Sequence, residues 1–326
     1  MLLSLLWAVS LTIAPQPSVR VLDASPSEAL WKMTAWQVSA DRWLVLMDDL
    51  TTLVAMDGKG KVHARVRVDG ADLGDRRMKT VLGGFIDGET LWLADFHNKL
   101  VQFSLNLRPL KSTSFPKIFY IHGCCERRGD RILVAGSWPQ SLREPYHPLL
   151  IHVFRWPTLE HLHSGLDRDA DALKGLREHE QRLGYGGFAT VAADEGMGTV
   201  GWLQPFWPVL VLYRVSDGNF QQIPLKLWQQ AWRWPPTGKS PVEAPVRATR
   251  HVLWIPPRWF GVPIREKTPS GQVRYWLEVV STDGREDFRI DLPGPIVGRD
   301  LQGRWLVARP HPEGGVALYP VRFEVK

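Results

Sequence analysis

Cysteine is nearly absent: the chain has two in 326 residues, which excludes a small disulfide-stapled scaffold and a zinc site built on paired CxxC motifs. Long hydrophobic runs are absent too. The longest, MLLSLLWAVSLTIA at the start of the chain, is an uncharged apolar run of about thirteen residues against the ~20 a membrane helix needs, so no transmembrane span is expected. HExxH, the P-loop, a Rossmann fingerprint after a strand and the nucleophile elbow are also missing. The sequence therefore names no reaction and implies no cofactor. Charge of one sign is scarce: 40 Lys and Arg stand against 34 Asp and Glu, a net +6, with the basic residues dispersed. The stretch from Arg65 to Arg77 interleaves Asp69, Asp72 and Asp75 with four Arg; it reads as a solvated strand and turn, and nucleic acid is not an expected partner.

What is present in quantity is apolar and aromatic. Hydrophobic residues make up 44% of the chain and Trp alone numbers 16, enough for a large core and against wholesale disorder. The initial apolar run suits the h-region of a signal peptide, with Thr12 and Ala14 as small residues ahead of Pro15. No Lys or Arg precedes it, so residues 1–17 read either as a signal peptide or as an apolar N-terminal segment of the fold. The first reading predicts export, periplasmic or secreted; no cysteine follows the run to take a lipid.

Compared with itself, the rest of the chain shows six related segments. Short apolar strands read RWLVLMDD from Arg42, TLWLADFH from Thr90, RILVAGSW from Arg131, TVGWLQPF from Thr199, RWFGVPIR from Arg258 and RWLVARPH from Arg304. Each is followed by a second run, from Thr52, Lys99, Leu149, Val209, Tyr275 and Val316. The runs are rich in Val, Leu, Ile and aromatics and broken by Asp-Gly, Asn or Pro, the signature of strands joined by tight turns. Strands so continuously apolar are covered on both faces, and much of the Trp set reads as filler between packed sheets.

One segment carries a resemblance. LWLADFHNKLVQFSLNL, from Leu91 to Leu107, resembles an NHL-type blade: an aliphatic strand ending in Ala-Asp, an Asn turn, and a Leu-Val-x-Phe strand. The chain after the leader thus resembles the six-bladed β-propeller superfamily of the NHL and TolB-like groups. The resemblance implies an all-β fold, a single domain over residues 18–326, with protein or small-molecule ligands meeting one face. Its members include binding scaffolds, lactonases and sugar dehydrogenases, so fold alone does not select a function. A monomer is expected. The last segment stops one strand short of a four-stranded blade, and SVRVLDA, from Ser18 to Ala24, is predicted to supply it and close the ring.

Two insertions interrupt the pattern. Residues 165–184 place Leu166, Ala170, Leu173 and Leu176 at helical spacing and read as an amphipathic helix. Within it Asp167, Asp169, Asp171 and Glu178 match positions one, three, five and twelve of an EF-hand calcium loop. Ala172 stands where that loop needs glycine, and Lys174 puts a cation inside it. Residues 228–247 are proline-rich with three Trp, a loop packed on the ring or an exposed lip.

Cys124 and Cys125 are adjacent on an expected inner strand, where they either form a vicinal disulfide or alternate as small apolar filler. In a propeller the inner strands line the central channel. Polar candidates near its mouth are Gln37, His122, Thr190, His251 and Arg299. A metal lactonase of the related group would bring carboxylates and an asparagine together there. Instead Asp41, Asp87, Asp194 and Asp300 fall after the inner strands, where turn capping explains them. The sequence thus supports a binding scaffold first, an enzyme of the lactonase or dehydrogenase kind second, and a structural component of an envelope assembly third.

Overall fold

The structure, a computed structural model, describes residues 9–21, 30–116, 118, 120–137, 149–183, 188–231, 244–249 and 251–325. It is an all-β, propeller-like fold with few helices. The strands pair into sheets of nine, four, four, four and five members. Three of these are simple meanders in which spatial order follows chain order, for instance Tyr120–Arg128, Arg131–Ser137, Leu149–Arg155 and Glu160–Asp167.

The two middle strands of each group are apolar along their length because both of their faces are covered. Residues 43–46 of the strand Arg42–Leu46 are all buried, as are 53–56 of Thr52–Asp57 and 91–95 of Thr90–Asp95. The outermost strand behaves differently. In Val62–Arg67 half-buried and exposed residues alternate strictly, the pattern of an edge with one face on the core and one in water.

The hairpins are held by a recurrent aspartate. Asp57 Oδ1 accepts the backbone N–H groups of Lys59 and Lys61 at 2.9 Å, and Asp95 Oδ1 accepts those of His97 and Lys99 at 3.0 Å. Asp194 and Asp300 close their turns in the same way. Such a side chain satisfies donors that the ladder leaves over at the turn. Asp87 differs: it sits between two sheets, accepting from Arg127 Nη1 and Trp156 Nε1 at 2.8 and 2.9 Å.

The nine-stranded sheet joins the two ends of the chain. Its strand Ile296–Arg299 runs parallel to Thr34–Ser39, with Gly298 opposite Ala35 and Arg299 opposite Trp36. Glycine is needed there, since a Cβ on Gly298 would lie 2.0 Å from the Ala35 carbonyl oxygen. Along the same sheet the long strand Val316–Val325 takes two N-terminal partners. Val19–Val21 pairs with it through Val19 opposite Leu318 and Val21 opposite Val316. Val9–Ile13 continues along it, with Ile13 opposite Val321. The apolar run read as a leader therefore contributes a strand to this structure. Of Ser18–Ala24, residues 22–24 lie outside the described residues.

The core forms clusters shared by strand groups that are neighbours in sequence. One further cluster brings Val19, Val21, Trp43, Val45 and Met56 against Val297, Leu306 and Leu318. Trp43, Trp228, Trp259 and Trp276 are fully buried filler.

The helical insertion starts later than its spacing suggests. Gly165 and Leu166 belong to the strand Glu160–Asp167, because Gly165 pairs with Ile151 and a Cβ there would collide with the Tyr213 ring. After a turn in which Asp167 Oδ1 accepts the Asp169 N–H at 2.8 Å, a 3-10 turn, Asp171–Leu173, leads into the helix Lys174–Leu183, with Leu173 and Leu176 buried. In the second insertion, Trp228 lies in a short helix, Lys226–Ala231, and its far end is a strand, Val246–Ala248. Residues 232–243 lie outside the described residues.

Candidate functional site

The innermost strands converge on a cavity of about 550 Å³. Its wall comes from Thr34–Ser39, Val81–Asp87, Tyr120–Arg128, Thr190–Ala193 and Ile296–Arg299, with His251 and Val252 and the turn residues Gly129 and Asp300. Several of these strands carry a β-bulge: between Gln37 and Ser39, Val81 and Gly83, Ile121 and Gly123, Cys124 and Glu126, and Ile296 and Gly298. A bulge places two residues against one on the partner and re-aims the side chains that follow. This explains why Cys125 and Glu126, neighbours in sequence, both reach the cavity.

Four of the five polar residues picked out by sequence line the cavity: Gln37, Thr190, His251 and Arg299. Two of them bind backbone. Gln37 Oε1 accepts the N–H of Leu301 at 3.2 Å, and Thr190 Oγ1 accepts that of Val252 at 3.1 Å, each tying neighbouring inner elements together. The His251 ring lies 6.3 Å from that of Trp305, tilted by 57°. Arg299 is stacked on Trp305, its guanidinium carbon 3.8 Å from the ring centroid; the two residues are directly opposed across their antiparallel pair. Burial pushes the Arg299 guanidinium down to about 10, with the nearby Arg128 adding to that and Glu126 opposing it.

His122 is not among the lining residues. Its Nε2 meets the Ser137 hydroxyl at 2.9 Å, and burial, followed by the charges of Arg168 and His152, pushes the imidazole down to about 3. A neutral ring there suits a packed polar cluster rather than a channel ligand. That cluster continues through the Arg168–Glu180 ion pair to Gln204.

Sequence reasoning missed Trp36, Glu126, Arg128 and Trp305 in the wall. Trp36 and Trp305 flank Arg299 as its partners on the two adjacent strands, a pairing that only the fold supplies. Arg128 pairs with Glu126 Oε1, while Glu126 Oε2 accepts the Ala193 N–H at 2.9 Å. Cys125 lines the cavity; the Cys124 side chain lies outside the described residues.

Among the described residues no group of three or more His, Cys, Asp or Glu is placed to hold a metal ion. The four residues matching the calcium loop are not brought together: Asp167 caps its own turn, while Glu178 lies 3.8 Å from Lys174 along the helix. No described helix is long and apolar enough to cross a membrane.

No family model matches the sequence, and no curated protein matches it. Solved structures do share the fold. A candidate exported protein from Bacteroides fragilis superposes with a TM-score of 0.54 at 10% identity, over 97% of this chain and 95% of that one. A member of the DUF4221 family from Bacteroides vulgatus gives 0.53 at 9% identity, over 98% of each chain. At such identities the likeness is one of fold alone, the all-β, propeller-like fold described above.

Proposed function

We propose that this chain is an exported, six-bladed propeller that works as a binding scaffold, taking a ligand in its central cavity. The observation that carries the reading is the cavity itself, where the inner strands present hydrogen-bonding, cationic and aromatic side chains to one shared space. Six blades follow if the nine-stranded sheet is divided at its one parallel junction, Gly298 with Ala35. The core cluster shared by the first and last strands supports a closed ring, as does the pairing of Val19–Val21 with Val316–Val325. Export is supported by the leader-like run and by the fold shared with a candidate exported protein.

The export reading favours a vicinal disulfide between Cys124 and Cys125, since an oxidising compartment lets such a bond persist. A tryptic peptide one hydrogen pair lighter than its reduced form would establish it, and a peptide of unchanged mass would remove it. An enzyme of the lactonase kind is less well supported, because the wall acids Glu126 and Asp300 are held by Arg128 and Arg304.

A thermal-shift screen of small metabolites tests the binding reading. Val191→Trp fills the cavity from a half-buried wall position. Ligands that raise Tm in the native chain and not in this variant occupy the cavity. Hits unaffected by the variant place binding elsewhere and defeat the reading.

A further inference from the structure

We propose that the cavity takes a small organic carboxylate with an apolar or aromatic body, its carboxylate gripped by the edge of the Arg299 guanidinium. The inference rests on the cavity-binding reading above and adds a ligand class to it.

The charges in the wall can be followed one by one. Arg127 donates to Asp87 Oδ1 at 2.8 Å and to the Gly129 carbonyl at 3.1 Å. Arg128 is paired with Glu126, whose second oxygen is taken by a backbone N–H. Asp300 receives Arg304 Nε at 2.6 Å together with the N–H groups of Gln302 and Arg304. Arg299 is left over: among the described residues no carboxylate lies within ion-pair distance of it, and its close partner is an aromatic face. A part-buried cation without an acid bears an uncompensated desolvation cost, which an incoming anion relieves.

Stacking decides how that anion approaches. Trp305 covers one face of the guanidinium at 3.8 Å, and Trp36 is the residue paired with Arg299 on the other neighbouring strand. The in-plane N–H donors remain, and they form the planar fork that meets a carboxylate in bidentate fashion. One cation left over matches a monoanion better than a phosphate dianion. The wall also carries the apolar side chains Leu82, Phe85, Ile86, Val191 and Val252, which an apolar or aromatic body on the ligand would cover.

Isothermal titration of the full chain at constant ionic strength, with benzoate and indole-3-acetate against benzamide, indole-3-acetamide and inorganic phosphate, tests the assignment. The expected result is binding of at least one acid ten-fold or more tighter than its amide and tighter than phosphate. Arg299→Gln should remove that preference, bringing the affinities for each acid and its amide within two-fold of each other. Arg299→Lys, which keeps the charge but not the fork, should retain part of it and serves as the folded comparison if the Gln variant is unstable. Acids and amides binding equally would overturn the carboxylate assignment and leave the cavity-binding reading standing. Phosphate binding tightest, or no binding by any probe, would also overturn it, and the Val191→Trp screen then decides the cavity reading separately.

Discussion

Asn98 shows how much one side chain can hold. It sits in the turn after the strand Thr90–Asp95 with φ 59°, a left-handed conformation that Asn tolerates better than most residues. Nearly buried, it accepts the Phe115 N–H at 2.9 Å and donates to the carbonyls of Phe115 and Ile118 at 2.8 and 2.6 Å. It thereby pins the segment that leads into the next sheet. Asn98→Ala strands three backbone groups and worsens the turn, so we expect a loss of about 2–4 kcal/mol in urea denaturation. Asn98→Gly relieves only the backbone and should recover a minor part of that loss; full recovery would mean the bonds contribute little. Asn98 was legible as a turn residue, because a left-handed turn between two apolar runs favours Asn. Its partners were not, since they come from a segment seventeen to twenty residues on. The cavity divides in the same manner. The inner runs that carry Gln37, Thr190, His251 and Arg299 were legible as sequence, whereas bulges decide which neighbours turn inward. His122 was misplaced for that reason: Ile121 and Gly123 bracket a bulge, and the ring between them packs onto Ser137.

At the scale of elements, the middle strands were the most legible parts, since burial on both faces leaves unbroken apolar runs. The helical insertions were less so. The short helix Lys226–Ala231 is set by a distant carboxylate: Glu278, fully buried in the strand Val273–Ser281, accepts the N–H groups of Leu227 and Trp228 at 3.0 and 2.9 Å. These are first-turn donors with no partner inside the helix. Burial nevertheless pushes the carboxyl up to about 7, with Asp287 in the same direction and the two backbone bonds and Lys226 against it. The folded state thus keeps a proton that the unfolded chain releases near its ordinary value of 4.5. Stability should be full below about 4.5, fall as pH rises toward 7, and level off above. Glu278→Gln cannot ionise and should flatten that part of the curve. Measured at pH 5 and pH 8, Tm of the native chain should drop several degrees more than that of the variant, given about 2–4 °C per kcal/mol for domains near this size. Parallel curves would show that Glu278 does not titrate in this window.

For the whole molecule the question is what joins the two ends. Val19 and Val21 are each 2% exposed and lie in the cluster with Trp43, Val45, Leu306 and Leu318. Arg20 of the same strand pairs with Glu313 at 2.7 Å, and its carbonyl oxygen abuts Gly60, where φ is 85° and a Cβ would approach to 2.1 Å. One short strand therefore touches both the first and the last strand groups. Val9–Ile13 has a lesser role: Leu11 and Ile13 pack only partly buried on a cluster with Ile290, Leu292 and Val321. The sequence left residues 1–17 open because a leader and an edge strand require the same apolar run. The two uses exclude each other in one molecule, since cleavage after Ala14 removes Val9–Ile13 and spares Val19–Val21. Chains begun at Pro15 and at Leu30 separate the contributions. Starting at Pro15 should preserve cooperative unfolding with a modestly lower urea midpoint. Starting at Leu30 removes two valines worth about 1.5–3 kcal/mol each in burial and opens a strand edge, so the midpoint should fall much further or cooperativity should be lost. Equal midpoints for these two chains would mean that the ends are held by Ile296–Arg299 against Thr34–Ser39 alone, with the N-terminal strand adding nothing to that junction.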